Sequence, residues 1–183
     1  MQSNYSLSEK VLHYLALGFP LMRTASYGID EMFPVSRSNY YHDNHVFISG
    51  LARSGTTILM RRFYETNHFR SLTYRDMPFV LMPKIWRKVI GPFQQQSISL
   101  ERAHGDGIKV TVDSPEAFEE VFWMHFAKNH YIFSDCLKPH VADRELIEEY
   151  RRYVHRVLAS TQNADQRRYL AKNNNNIVRY LFI

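Results

Sequence analysis

The chain has 183 residues, of which 45% are apolar and 22% charged, and a formal net charge of +5. That length and balance suit a single globular unit and exclude wholesale disorder, collagen and coiled coil. The single cysteine, Cys136, excludes a disulfide framework and a cysteine-based zinc site, and it fits a reducing compartment.

The basic excess, 23 Lys and Arg against 18 Asp and Glu, is compatible with an anionic ligand, nucleic acid or an acidic membrane surface. It is scattered in short pairs such as Arg61-Arg62, Arg151-Arg152 and Arg167-Arg168, so no nucleic-acid arm is expected. No apolar run approaches the roughly 20 residues that span a bilayer, so no transmembrane segment is expected. The start, MQSNYSLSEK, lacks the basic and apolar regions of a signal peptide, which makes a cytoplasmic location the expectation.

In chain order, Ser6-Leu-Ser-Glu9 has capping-box spacing. Val11, Leu12, Leu15 and Ala16 follow at helical intervals, and Gly18 and Pro20 stop the run. Residues 21–44, rich in Ser, Tyr and Asn, read as an irregular surface connection. Val46 to Ser49 is a β-prone run ending at Gly50, and Ile58 to Tyr64 resumes a helical pattern. A second strand is expected between Phe69 and Tyr74. Asp76-Met-Pro78 has the form of a helix start, with Phe79 to Val89 as the helix.

Residues 91–107 read as a long loop. Asp113-Ser-Pro-Glu116 predicts another helix start, leading into Ala117 to Met124. Phe118, Phe122, Trp123 and Phe126 recur there at helical spacing and predict core. Leu146, Ile147, Tyr150, Tyr153, Val154, Val157 and Leu158 mark the clearest amphipathic helix. Arg168 to Ala171 predicts a strand. Lys172 follows, then Asn173 to Asn176, which read as a low-complexity run, and an apolar end from Ile177 to Ile183. His125 and His130 lack a matching carboxylate or cysteine constellation, so no metal site is expected.

The segment that carries chemistry is His45-Val-Phe-Ile-Ser-Gly50-Leu-Ala-Arg-Ser-Gly55-Thr-Thr57. Gly50-x4-Gly55 matches two fixed points of a phosphate-binding loop, between a strand and a helix as that motif requires. A tight glycine turn aims successive backbone N–H groups into one concavity, and the helix N-terminus adds about half a positive charge. The alternative is an ordinary strand-to-helix turn capped by Ser and Thr. Nucleotide triphosphatases place Lys after the second glycine, whereas here Thr56-Thr57 follow and the cation, Arg53, lies inside the loop. Anion binding is therefore expected, and triphosphate hydrolysis through a lysine clamp is not.

GLARSGTT after a β-strand resembles the 5′-phosphosulfate loop of sulfotransferases, in the Arg-Ser-Gly-Thr-Thr form of bacterial members and tyrosylprotein sulfotransferases. SLTYRDMPFVL, ERAHGDGI, DSPEAFEEVFW and RYLAKNNNNI are similar to further blocks of a bacterial sulfotransferase family, so the resemblance covers most of residues 7–183. It implies a transferase that moves a sulfuryl group from 3′-phosphoadenosine-5′-phosphosulfate to a hydroxyl or amine. It further implies that Arg53, Ser54, Gly55, Thr56 and Thr57 contact the 5′-phosphosulfate, with no metal required. The acceptor would be a small molecule or carbohydrate. The Lys-Asn block lies near the active site in the family, which would bring Lys172 to the transferring group.

Sulfuryl transfer needs a base for the attacking acceptor. By the resemblance, Asp76 in Tyr-Arg-Asp76-Met-Pro lies in the region of the family's catalytic carboxylate. Asp76 reads equally as a helix cap. His104, in His-Gly-Asp-Gly, is a rival base, or else a solvated loop histidine.

The resemblance implies an α/β, three-layer fold of the P-loop nucleoside triphosphate hydrolase type with a parallel sheet, incomplete at its C-terminus. Related enzymes continue past the Lys-Asn block into an Arg-Asp-Pro segment and a downstream Ser that hold the 3′-phosphate, and no Arg-Asp-Pro occurs here. Residues 1–183 are thus expected to form one sulfotransferase-like domain, the N-terminal portion of a longer one. A second copy or partner chain would then cover the incomplete sheet. A small-molecule or nucleotide kinase of the same fold and a catalytically inactive truncated binding protein are the rival expectations.

Overall fold

The computed structural model describes residues 20–33, 35, 44–90, 100–101, 109–161, 163 and 166–183. The first helix, α1, spans Pro20–Glu31. Pro20 therefore opens a helix where the sequence reading had it close one. At the first helical position its missing N–H has no partner to lose and its fixed φ suits the turn. The Thr24 hydroxyl donates to the Pro20 carbonyl at 3.1 Å, and the Ser26 hydroxyl to that of Arg23 at 2.9 Å. Thr24 and Ser26 are thus absorbed by the helix itself, and most of the Ser-, Tyr- and Asn-rich residues of the expected connection lie outside the described residues. The helix is held from outside: Tyr27 meets Phe126 edge-on at 4.9 Å, and Asp30 accepts from the Ile85 N–H at 3.1 Å. The helix expected after Ser6 lies outside the described residues.

Three parallel strands form the central sheet: β1 (Val46–Ile48), β2 (Phe69–Arg70) and the strand Arg168–Lys172. That last strand, β5, is central in the order β1-β5-β2. Val46 pairs with Leu170 and Ile48 with Lys172 on one side, while Phe69 pairs with Arg168 on the other. Helix α2 (Thr56–Glu65) connects the two outer strands. Side chains alternate across β5 with period two. Leu170 joins Ile48, Phe69 and Met60 of α2 on one face. Tyr169 and Ala171 join the larger core on the other. Both faces are covered, so β5 is apolar at consecutive positions, as a two-sided buried strand should be.

The larger core is built by α4 (Glu120–Phe126), α5 (Lys128–Tyr131) and α6 (Arg144–Ala159) with Tyr27 of α1 and the residues around them, and α3 (Pro83–Ile90) packs against α6. Leu100–Glu101 and Lys109–Val110 pair antiparallel as β3 and β4. The amphipathic pattern over 146–158 is α6, whose N-cap Asp143 accepts from the Leu146 N–H at 2.8 Å. Phe122 and Tyr153 stack at 5.0 Å, and Trp123, Phe122 and Tyr153 are fully buried. The aromatic residues 118–126 are core, as their spacing predicts.

Two helix starts differ from the sequence reading. Asp76 does not open the helix of residues 79–89. It closes a 3₁₀ turn, Tyr74–Asp76, as the acidic partner of a capping box with Thr73. Helix α3 begins only at Pro83, and its first turn takes its cap from Asp30 of α1. Likewise α4 begins at Glu120, because residues 113–116 are occupied elsewhere. Ser114 accepts from the Thr111 N–H at 2.9 Å, and Asp113 pairs with Arg75 at 2.6 Å.

Candidate functional site

Open α/β sheets bind ligands in the crevice beyond the carboxyl ends of their strands. Here β1 runs into the glycine loop, β5 ends at Lys172, and β2 leads to Asp76. The residues singled out by sequence thus follow three adjacent parallel strands.

The loop from Gly50 to Gly55 carries two left-handed residues, Arg53 at φ 64° and Gly55 at φ 83°. Gly55 is the N-cap of α2 and offers that helix no side-chain acceptor. Leu59 is bonded back to the Gly55 carbonyl at 3.0 Å, which starts the helical ladder. The Ser54 hydroxyl and N–H both return to the Leu51 carbonyl, at 2.7 and 3.2 Å, so Ser54 shapes the turn. Gly50 leaves room for that arrangement: a Cβ there would stand 2.9 Å from Ser54 Oγ and 3.1 Å from Thr56 Cγ2. Leu51 to Gly55 are exposed, and Thr57 is buried beneath the turn.

The end of β5 is stitched to the start of the loop. The Asn173 N–H donates to the Ile48 carbonyl at 3.0 Å, and the Ser49 hydroxyl to the Asn174 carbonyl at 3.1 Å. Lys172, half-buried, sits opposite Ile48 in the parallel register. The structure therefore brings Lys172 beside the strand that feeds the loop.

The asparagine run has a structural explanation that its composition concealed. Asn173 caps the 3₁₀ turn Asn174–Val178, accepting from the Asn175 N–H at 3.0 Å. The side-chain amides of Asn173 and Asn175 donate to Glu120, and that of Asn176 donates to Glu119 at 3.1 Å. Glu119 also receives Trp123 Nε1 at 3.0 Å, the Tyr150 hydroxyl at 2.7 Å and the Tyr169 hydroxyl at 3.2 Å. Glu120 receives the Tyr131 hydroxyl and pairs with Arg179 at 3.1 Å. Arg179 lies between the rings of Trp123 and Tyr131, 4.7 and 4.6 Å from their centroids. Two adjacent glutamates thus anchor the segment that borders the loop. Sequence reasoning assigned Glu119 and Glu120 no role. The available signal was the pair of adjacent carboxylates within the otherwise apolar run from Ala117 to Met124.

Asp76 is fully buried. Its carboxylate receives Arg70 at 2.8 Å, Arg87 Nε at 2.7 Å and the Thr73 N–H at 2.8 Å. Arg70 is itself buried and further bonded to Ser160 at 3.0 and 3.2 Å. These contacts are not those of an N-cap for the following helix: Asp76 serves the capping box of Tyr74–Asp76 and an ion-pair cluster joining β2, α3 and the end of α6. His104 lies outside the described residues.

Burial opposes charge on both Asp76 and Glu120, but their arginine partners outweigh it, and both carboxyls are held below the ordinary range. Asp30 acts in the opposite sense, since burial raises its pKa in spite of Arg156. A depressed carboxylate adds stability that is complete above its unfolded pKa and lost as pH falls through its folded one. Asp113, bonded to Arg75, is held low as well, so three described carboxyls are depressed and one, Asp30, is raised. His125 and His140, held low mainly by burial, add a loss that starts as pH falls through about 6.5, so the melting temperature is expected to decline modestly below neutrality and steeply below about pH 4. Thermal unfolding followed by circular dichroism checks this, and a melting temperature unchanged down to pH 3 would sink the electrostatic account.

A cleft of about 330 Å³ opens beside the loop, lined by Phe47, Ser49 and Gly50 on the β1 side and by Asn176, Ile177 and Tyr180 on the other. Among the described residues, no group of three or more His, Cys, Asp or Glu is placed to share a metal ion, and no helix is long and apolar enough to cross a membrane. Compared with protein-family models, curated proteins and solved structures, the chain gives no significant match.

Proposed function

We propose that this chain is a sulfotransferase-type protein of the P-loop fold, using 3′-phosphoadenosine-5′-phosphosulfate as sulfuryl donor. The observation that carries the reading is the loop: a left-handed glycine turn at the end of a parallel strand, opening a helix whose N-cap is glycine, with Arg53 inside it and no lysine after Gly55. The backbone N–H groups at a helix start and the helix dipole favour an anion there. Arg53 adds a planar cation suited to sulfonate or phosphate oxygens.

In the transfer, an acceptor oxygen bonds to sulfur as the bond from sulfur to the bridging phosphate oxygen breaks. The acceptor's proton passes to solvent water, and adenosine 3′,5′-bisphosphate leaves. Charge on the sulfonate and the leaving phosphate is met by donors fixed beforehand, which need no reorganisation during reaction. The loop N–H groups and Arg53 have that character, and Lys172, one strand over, supplies a second cation. Asp76, engaged by two arginines, suits a positioning role better than that of base.

The test is paired calorimetry of the soluble chain against adenosine 3′,5′-bisphosphate without metal and ATP with magnesium. The bisphosphate is expected to bind and magnesium-ATP to bind more weakly. Tighter magnesium-dependent binding of ATP would overturn the reading in favour of a kinase of similar architecture.

A further inference from the structure

The two adjacent glutamates reach different parts of the segment after β5. Glu119 is buried and accepts mainly from the core, from Trp123, Tyr150 and Tyr169, and it meets the turn only at Asn176. Glu120, the first residue of α4, faces the turn itself. Its carboxylate receives the side-chain amides of Asn173 and Asn175, the latter at 2.9 Å, and the Arg179 guanidinium at 3.1 and 3.2 Å. The Tyr131 hydroxyl, from α5, fixes it on the other side.

We propose that Glu120 is a positioning residue for the glycine loop: its carboxylate fixes residues 173–175, and these fix the point where β1 turns into the loop. The positioning rests on the contacts alone, and its effect on donor affinity rests on the sulfuryl-transfer reading.

The Asn173 side chain is engaged at both ends. Its Oδ1 accepts from the Asn175 N–H at 3.0 Å and closes the turn, while its Nδ2 donates to Glu120. The backbone N–H of the same residue donates to the Ile48 carbonyl at 3.0 Å, and the next carbonyl, of Asn174, accepts from the Ser49 hydroxyl at 3.1 Å. Ile48 is the last residue of β1. A path of hydrogen bonds therefore runs from Glu120 through one asparagine to the two residues that precede Gly50. Within the loop, the bonds of Ser54 to Leu51 and of Leu59 to Gly55 are local. They keep its shape, and the bonds at Ile48 and Ser49 set where it stands against the end of β5. Charge matters as well as shape, because Arg179 is buried and Glu120 neutralises it while accepting from two amides. A glutamine there would turn an amide donor against these donors.

The experiment follows amide hydrogen exchange of the full chain by mass spectrometry, comparing residues 46–60 with residues 146–158. The variants are Glu120→Gln, Asn173→Ala and Asp143→Ala. Asn173→Ala cuts the path but leaves the pair of Glu120 and Arg179 in place, so it decides the matter if Glu120→Gln does not fold. Asp143→Ala removes the N-cap of α6 and is the control for lost stability alone. Exchange over residues 46–60 is expected to quicken about tenfold or more in the first two variants and to change little in the control. Adenosine 3′,5′-bisphosphate affinity, measured by calorimetry well below melting, should fall about tenfold in the same two and hold in the control. Exchange over residues 46–60 that is unchanged in both variants, or that quickens as much in Asp143→Ala, overturns the proposal. So does a bisphosphate affinity that both variants retain in full. Quickened exchange in the two variants, with bisphosphate failing to bind even the unaltered chain, supports the positioning and removes the sulfuryl-transfer reading instead.

Discussion

Asp76→Ala is expected to destabilise the protein by about 3–5 kcal/mol, a large part of the stability of an ordinary domain. The reason lies in what remains. Arg70 is 1% exposed, and without the carboxylate its charge stays buried beside the like charge of Arg87, bonded to the Ser160 hydroxyl. The capping box with Thr73 is lost at the same time. Because the alanine variant may be too unstable to isolate, Asp76→Asn is the companion. It keeps an oxygen for the Thr73 N–H but turns an amide donor toward a guanidinium, and a loss of about 2–3 kcal/mol is expected. Urea denaturation measures both. An unchanged midpoint for Asp76→Asn, with sulfuryl transfer lost, would return the role of base to this residue.

Arg53→Ala is expected to weaken adenosine 3′,5′-bisphosphate by roughly 10–150-fold, the worth of a charge-assisted contact. Gly55→Asp should do more, because it sets a negative charge at the helix N-cap where the ligand's own charge would lie. A third variant separates binding from folding. Arg53 is held at φ 64°, a conformation that costs a side-chain-bearing residue about 1–2 kcal/mol. Arg53→Gly removes that strain, against a comparable entropic cost of glycine in the unfolded chain. Its melting temperature should therefore not fall, although its bisphosphate affinity should fall as far as that of Arg53→Ala. Calorimetry with unchanged affinity in all three variants would remove the loop as the anion site.

The glycine loop and α6 were legible in the sequence because each rests on local rules. Gly50-x4-Gly55 between a β-prone run and a helical run needs only the backbone freedom of glycine and the orphan N–H groups of a helix start. Leu146 to Leu158 needs only the helical period. The buried aromatic residues around Trp123 were legible on the same ground, and so was β5 as a strand.

What local rules could not reach was decided by partners far away in sequence. Residues 20–31 are a helix because Tyr27 and Asp30 find Phe126 and Ile85, and no propensity within the segment announces those contacts. Asp76 looked like a helix start because Asp-x-Pro often is one. Arg70 and Arg87 draw it inward, and α3 waits for the cap that Asp30 brings across from α1. The asparagines after Lys172 looked like composition alone until Glu119 and Glu120, more than fifty residues earlier, were seen to receive them. The sequence by itself determined the elements whose hydrogen bonds and apolar faces close within one turn or one strand. The tertiary structure decided where buried charges and amides go, because such groups are stable only where a partner of opposite character has been folded against them.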